Sequence, residues 1–187
     1  MNGWAKKRKI MQRYDATAHL YDMRYSEEQT AKIKTALENV PIKDRGSVLD
    51  VGCGTGILFQ HIVRAATDIV ALDISKKNLI RAKERAKDSP NVHLLWADAD
   101  NIPIKNNTFN NIFAVTLLQN MPNPRRTLNE IKRVSQADSI FVITGLKKSF
   151  SAESFTTVLR GAGFEILGLT DEYNLKCYVA ACANLHH

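Results

Sequence analysis

Apolar residues along this chain follow two rhythms in turn, and their order predicts most of the elements. Short apolar runs fall at residues 48–50, 69–72, 92–96, 112–115, 139–143, 164–169 and 176–183, with the length and texture of strands in a buried sheet. Helical spacing fills the intervals: the run from Ile57 to Val63, then Leu79, Ala82 and Ala86, then Leu128, Ile131 and Val134, then Phe155, Val158 and Leu159. Ahead of the first strand, Ile33, Leu37 and Val40 mark another helix, with Ser26-Glu27-Glu28-Gln29 as a capping box at its start and Pro41 at its end. Ser75 and Ser151 read as N-caps, Pro124 as a first-turn proline, and Gly161 or Gly163 as the close of the last helix. Alternating strand and helix with a final hairpin imply an α/β fold: a doubly wound, mostly parallel sheet carrying one antiparallel strand, with helices on both faces. No internal repeat or low-complexity linker interrupts the pattern. Residues 1–187 therefore form one expected domain, in which 26–187 make the layered core and 1–25 lie outside it.

The first apolar run leads into Gly52-Cys53-Gly54-Thr55-Gly56. Glycines at such a turn let the backbone bend sharply and approach a ligand without Cβ clashes, and the strand-turn-helix context is the one in which they bind a nucleotide-type cofactor. A tight turn that binds nothing is the alternative. Two acids sharpen the choice. Asp73 ends the second run 19 residues after Gly54, near the offset at which an acid reaches ribose hydroxyls. Asp98 follows the third run, where it can accept from an adenine amino group. Dinucleotide sites usually continue to a further glycine, and here Ile57 stands in that place. Asp50, beside the turn, instead suits a cofactor whose amino-acid end carries an ammonium.

Together, residues 48–56, Leu72-Asp73-Ile74-Ser75, Ala97-Asp98-Ala99-Asp100-Asn101-Ile102-Pro103 and Thr108-Phe109-Asn110-Asn111-Ile112-Phe113 resemble the class I S-adenosylmethionine-dependent methyltransferases, most nearly their ubiquinone/menaquinone-methylase-like branch. The resemblance covers roughly residues 48–143. It implies a Rossmann-like seven-stranded sheet of order 3-2-1-4-5-7-6 with strand seven antiparallel. It also implies S-adenosylmethionine as cofactor and S-adenosylhomocysteine as product. By the same resemblance Gly52, Gly54 and Gly56 flank the methionine moiety together with Asp50 and Cys53. Asp73 and Ile74 hold the ribose, Asp98 and the backbone of Ala99 read the adenine, and Thr116 lies near the methyl group. Gln119 and Asn120 follow, where the family orients its acceptor by hydrogen bonds. The chain departs from the family pattern at Asn110 and Asn111, where an acid is common, and at residues 134–138, where a Pro-Gly-Gly turn is usual.

Composition changes the picture in several respects. With 187 residues, 44% hydrophobic and 24% charged, the chain is an ordinary globular protein. No apolar run is long enough to span a bilayer, so a cytoplasmic protein without membrane insertion is expected. Its formal charge of +7 gathers partly in Lys6, Lys7, Arg8, Lys9 and Arg13, a basic arm suited to a phosphate backbone. Three cysteines, Cys53, Cys177 and Cys182, have neither metal-ligand nor disulfide spacing, and no metal is expected. His186-His187 has the look of a purification-tag remnant.

The acceptor is expected to be chosen by the leading segment, which can fold over the cofactor as a lid. Residues 14–21 resemble the lid opening of the same methyltransferase branch, and Arg24-Tyr25 resembles the tRNA wobble-uridine methyltransferases. Tyr14, Tyr21, Arg24 and Tyr25 are the candidate lid residues, and His19 is the candidate base if the acceptor needs deprotonation. Methyl transfer to RNA, tRNA or rRNA, is placed first on charge. Transfer to a small molecule such as a quinone precursor, metabolite or lipid stands beside it, as does a non-catalytic cofactor-binding subunit. A small activating protein partner is compatible with so compact a chain.

Overall fold

The computed structural model describes residues 3–40 and 45–185, and of residues 18–25 and 39 the backbone alone. The elements are α1 (Gly3–Asn39), β1 (Val48–Val51), α2 (Phe59–Ile62), β2 (Ile69–Asp73), α3 (Lys76–Arg85), β3 (Val92–Trp96) and β4 (Phe109–Ala114). A single 3-10 turn at Leu118–Asn120 precedes α4 (Pro124–Val134), β5 (Ser135–Leu146), α5 (Ala152–Gly161), β6 (Phe164–Thr170) and β7 (Cys177–Asn184). Seven strands form one sheet in the order β3-β2-β1-β4-β5-β7-β6, parallel except for β7, which runs antiparallel to β5 and β6.

Alternation along the strands divides the core into two layers. Leu49, Val51, Ile112 and Phe141 face Leu128, Ile131 and Phe155 of α4 and α5. Val48, Ile69, Phe113 and Val142 face Ile33 and Ala36 of α1, Phe59 of α2 and Ala82 of α3. Caps fall where the sequence predicts three of them: Ser75 accepts from the Asn78 amide, Ser151 forms a capping box with Ser154, and Pro124 opens α4 behind Asn123. Gly163, at φ +78°, ends the last helix region.

The start of the chain differs from expectation. Ser26 does not open a helix, because α1 runs unbroken from Gly3 through it. Glu28 and Gln29 do not close back on a cap. Glu28 pairs with Lys32 one turn on at 2.7 Å, and Gln29 Oε1 accepts from Thr116 Oγ1 at 3.1 Å. A capping box records only local bonding options, and here tertiary partners take them.

Both departures from the family pattern lie in one structural joint. Asn110 Oδ1 accepts from the Ser47 amide at 3.0 Å, and Asn110 Nδ2 donates to Gln136 Oε1 at 2.6 Å. The amide accepts on one side and donates on the other. Residues 135–138, expected as a turn, instead begin β5 irregularly, with the register shifting between Phe109 and Asn111.

Candidate active site

Sheet order reverses between β1 and β4, so a crevice opens past Val51 and Ala114, the place where doubly wound sheets bind ligands. The glycine turn lines it. Gly52, Gly54 and Gly56 have φ of +76°, +56° and +80°, a region costing other residues about 1–2 kcal/mol. A Cβ on Gly56 would lie 2.3 Å from the Phe59 ring, whereas one on Gly54 would meet no atom within 4 Å. Gly56 is thus required by packing, and Gly54 by conformation and by what approaches it.

Asp73 holds this turn in place. Its Oδ2 accepts from the Gly54 amide at 2.9 Å and its Oδ1 from the Ser75 amide at 2.7 Å, while a carboxylate's remaining lone pairs stay available to a ligand. Burial raises its pKa, against the Ser75, Gly54 and Asn78 hydrogen bonds that lower it. Asp50 is only 3% exposed. Burial, and then the charge of Asp73, push its carboxyl up to about 8, with no cation offsetting them. An ammonium brought by a cofactor is what that carboxyl fits.

Asp98 is engaged by α1. Lys7 Nζ lies 2.6 Å from Asp98 Oδ1, 2.7 Å from its Oδ2 and 2.5 Å from Asp100 Oδ2. The Lys7 side chain is 9% exposed, so it faces inward rather than along a solvent-facing basic arm. Lys6 and Arg13 also turn toward the site, donating to Met121 O at 3.2 Å and Asn120 Oδ1 at 3.3 Å. Arg8 and Lys9 are exposed.

Two further contacts hold α1 across the crevice. Asp15 Oδ1 accepts from Ser75 Oγ at 2.5 Å, and Asn120 Nδ2 donates to the Tyr14 hydroxyl at 3.0 Å. Gly52, Gly54, Asp73, Ile74, Asp98, Ala99 and Thr116 then line a cavity of about 80 Å³ with Lys7, Ile10 and Tyr14. Small-molecule sites measure about 300–1,000 Å³. Lys7, Ile10 and Tyr14 of α1 thus occupy part of the space a nucleoside cofactor needs.

A second, larger chamber of about 800 Å³ lies on the far side of Thr116, with Arg13, Glu28, Lys32, Gln119 and Lys176 in its lining. Tyr14, Thr116 and Asn120 line both cavities. Thr116 sits at φ +60°, unusual for a β-branched residue. It is held by its amide donating to Thr144 Oγ1 at 2.7 Å. Gln119 Oε1 is buried and accepts no hydrogen bond.

Gly52, Gly54, Asp73, Asp98, Thr116 and Asn120 thus line one crevice, whereas Asp50 and Cys53 line a small pocket that shares Gly52 and Gly54 with it, Gln119 lines the larger chamber, and Gly56 lines none of these. Cys53 lies at the turn, its thiol pKa raised by burial above all. The side chains of His19, Tyr21, Arg24 and Tyr25 lie outside the described residues. Periodicity does not single out Asn78, which is 3% exposed, bonds to Asp73 and lines the smaller cavity; a lone polar residue one turn before Ala82 was its available signal. Glu28, Lys32 and Lys176 of the larger chamber carry no comparable mark. Among the described residues no group of His, Cys, Asp and Glu could hold a metal ion, no helix is long and apolar enough to cross a membrane, and all three cysteines are free.

A first strand running into left-handed glycines, with buried or half-buried acids after the next two strands, defines a Rossmann-like nucleotide-cofactor domain. More particularly, residues 49–143, half of the chain, match the family model described as a methyltransferase domain. The chain belongs to that family, among the class I S-adenosylmethionine-dependent methyltransferases. It is 28% identical over 187 residues to malonyl-[acyl-carrier protein] O-methyltransferase of Marinomonas sp., covering 96% of this chain and 64% of that one. It is 31% identical over 112 residues to demethylmenaquinone methyltransferase of Staphylococcus haemolyticus, covering 58% and 47%. The chain spans about half to two thirds of the length of these curated relatives. Among solved structures, 1,6-didemethyltoxoflavin-N1-methyltransferase of Burkholderia thailandensis, with 1,6-didemethyltoxoflavin and S-adenosylhomocysteine bound, shares the fold at a TM-score of 0.83. That match covers 100% of this chain and 92% of the other at 13% identity.

Proposed function

We propose that the chain transfers the methyl group of S-adenosylmethionine to a small acceptor seated in the larger chamber. The observation that carries this is the wall of Tyr14, Thr116 and Asn120, common to the crevice of the glycine turn and to the chamber. When bound, the cofactor supplies a methyl carbon on a sulfonium sulfur, which keeps the bonding pair as the acceptor's lone pair forms the new bond. The chain's own part is positional. Asp50 offers the counter-charge for the ammonium, Asp73 the acceptor oxygens for ribose, and Asp98 with the Ala99 backbone the contacts for adenine. Malonyl-[acyl-carrier protein] and demethylmenaquinone, the acceptors in the relatives' names, are not nucleic acids, in keeping with a chamber of about 800 Å³.

An RNA acceptor is the second reading, favoured by exposed Arg8 and Lys9 on a chain of formal charge +7. Methyl-labelled S-adenosylmethionine, incubated with the chain and either a small-molecule extract or total RNA, separates the two. Label in the small-molecule fraction alone is expected. Label in RNA, with binding that weakens steeply as salt rises, would establish the second reading instead, and label in neither fraction would point to a cofactor-binding subunit.

A further inference from the structure

The larger chamber carries a charge pattern that methyl transfer does not itself require. Among the described residues, Arg13, Lys32, Lys147, Lys148 and Lys176 line it with one carboxylate, Glu28. Glu28 is shared between two of these cations, lying 2.7 Å from Lys32 Nζ and 2.9 Å from Lys176 Nζ. Lys147 is answered outside the lining, by Asp171 at 2.7 Å. Lys32 is the telling member, because its side chain is 1% exposed. A buried ammonium is costly unless well paired, and this one has only part of a carboxylate. Its Nζ also lies 3.5 Å from Thr116 Oγ1, at the wall shared with the cofactor crevice.

We infer that the acceptor bears an anionic group, a carboxylate or a phosphate, held by Lys32 and Lys176. The inference rests on reading this chamber as the acceptor's. Such an anion completes the pairing of Lys32 and fixes the acceptor beside Thr116, and a neutral molecule of the same shape gains neither.

Calorimetry on the full chain saturated with S-adenosylhomocysteine tests this, with benzoate, phenyl phosphate and the neutral isostere benzamide as probes. At least one anion binds and benzamide does not. Lys32→Met weakens anion binding by roughly tenfold or more, the scale of a hydrogen bond to a charged group, with S-adenosylhomocysteine affinity changed by less than about twofold. Lys176→Gln, at a position whose side chain is 73% exposed, tests the same point should Lys32→Met fail to fold. Tighter benzoate supports a carboxylate-bearing acceptor, and tighter phenyl phosphate a phosphorylated one. Equal binding of benzamide, no anion binding by the loaded protein, or anion binding unchanged in the folded variants overturns the inference. Failure to bind S-adenosylhomocysteine at all would instead bring down the methyltransferase reading beneath it.

Discussion

Replacing Lys7 by methionine tests whether α1 competes with the cofactor or cooperates with it. Lys7 is the shared counter-ion of Asp98 and Asp100, whose side chains are 24% and 7% exposed. Removing one partner of a buried pair typically costs about 3–5 kcal/mol. The low end applies here, since Asp98 is partly open to water. Both carboxylates also keep neutral donors: the Asp100 amide to Asp98 at 3.0 Å and Thr127 Oγ1 to Asp100 at 2.5 Å. Apo Lys7→Met should therefore lose about 3 kcal/mol, which for a chain of this size lowers Tm by roughly 6–12 °C. If Asp98 serves the adenine, the wild-type protein must break the Lys7 contacts before the cofactor seats, and the variant need not. Each 1.4 kcal/mol recovered is about tenfold in Kd, so S-adenosylhomocysteine should bind the variant between about tenfold and a hundredfold more tightly. Titration calorimetry reads the affinity. Amide hydrogen exchange across residues 3–17 should rise in the wild type on cofactor binding and be high in the variant from the start. Weaker binding by Lys7→Met would refute competition and place the ammonium beside the bound nucleotide.

Four other substitutions address the crevice. Asp73→Ala should weaken S-adenosylhomocysteine binding by about 1–3 kcal/mol, the cost of leaving polar groups unpaired, and unchanged affinity would reject its ribose role. Gly54→Ala should cost only about 1–2 kcal/mol of stability, since its Cβ meets open space, yet impair cofactor binding. Gly56→Ala should destabilise more, on the order of 3 kcal/mol, by driving a Cβ into Phe59; equal thermal shifts would contradict that division of labour. Asp50, pushed up to about 8, keeps in the folded apo protein a proton that the unfolded chain has lost. The folded state thus binds more protons between about pH 4 and pH 8. Apo stability should fall as pH rises through that window and level off above it. In urea melts Asp50→Asn should show a shallower slope than the wild type, with Asp73 supplying the remainder, and an identical slope would exclude Asp50 as its source.

The fold and the cofactor crevice were legible in sequence because their signals are local. Strand one, its glycines and the acids of the following strands lie within residues 48–98, and each is fixed by a short-range demand: a left-handed φ, a strand end, a cap such as Ser75. The opening helix was not legible for the converse reason. Ser26-Glu27-Glu28-Gln29 has the composition of a helix start, but nothing local distinguishes a start from a mid-helix segment whose Glu28 and Gln29 are taken by Lys32 and Thr116. Nor can spacing show that Lys7 faces inward while Arg8 and Lys9 face water.

The larger chamber lies furthest from what a single sequence displays, and the reason bears on its use. Its described lining comes from residues 13–17 and 28–32 of α1, 116–120 after β4, 146–149 at the end of β5 and 176 before β7. No short motif spans them. The glycine crevice is built by the sheet, from segments every member of this fold must supply, so its chemistry can be carried by a few fixed residue types. The chamber is built where α1 crosses the ends of β4, β5 and β7, and its charges can change without disturbing a strand or a cap. Because α1 closes the crevice through Lys7 and walls the chamber through Arg13, Glu28 and Lys32, a shift of residues 3–17 that admits the cofactor also carries Arg13 and Tyr14. Cofactor entry that displaced this helix would reshape the chamber too, a coupling of the two cavities through α1. That coupling gives an order of events: anion probes should bind the chain loaded with S-adenosylhomocysteine differently from the apo chain, and identical affinities would show that the two cavities act independently.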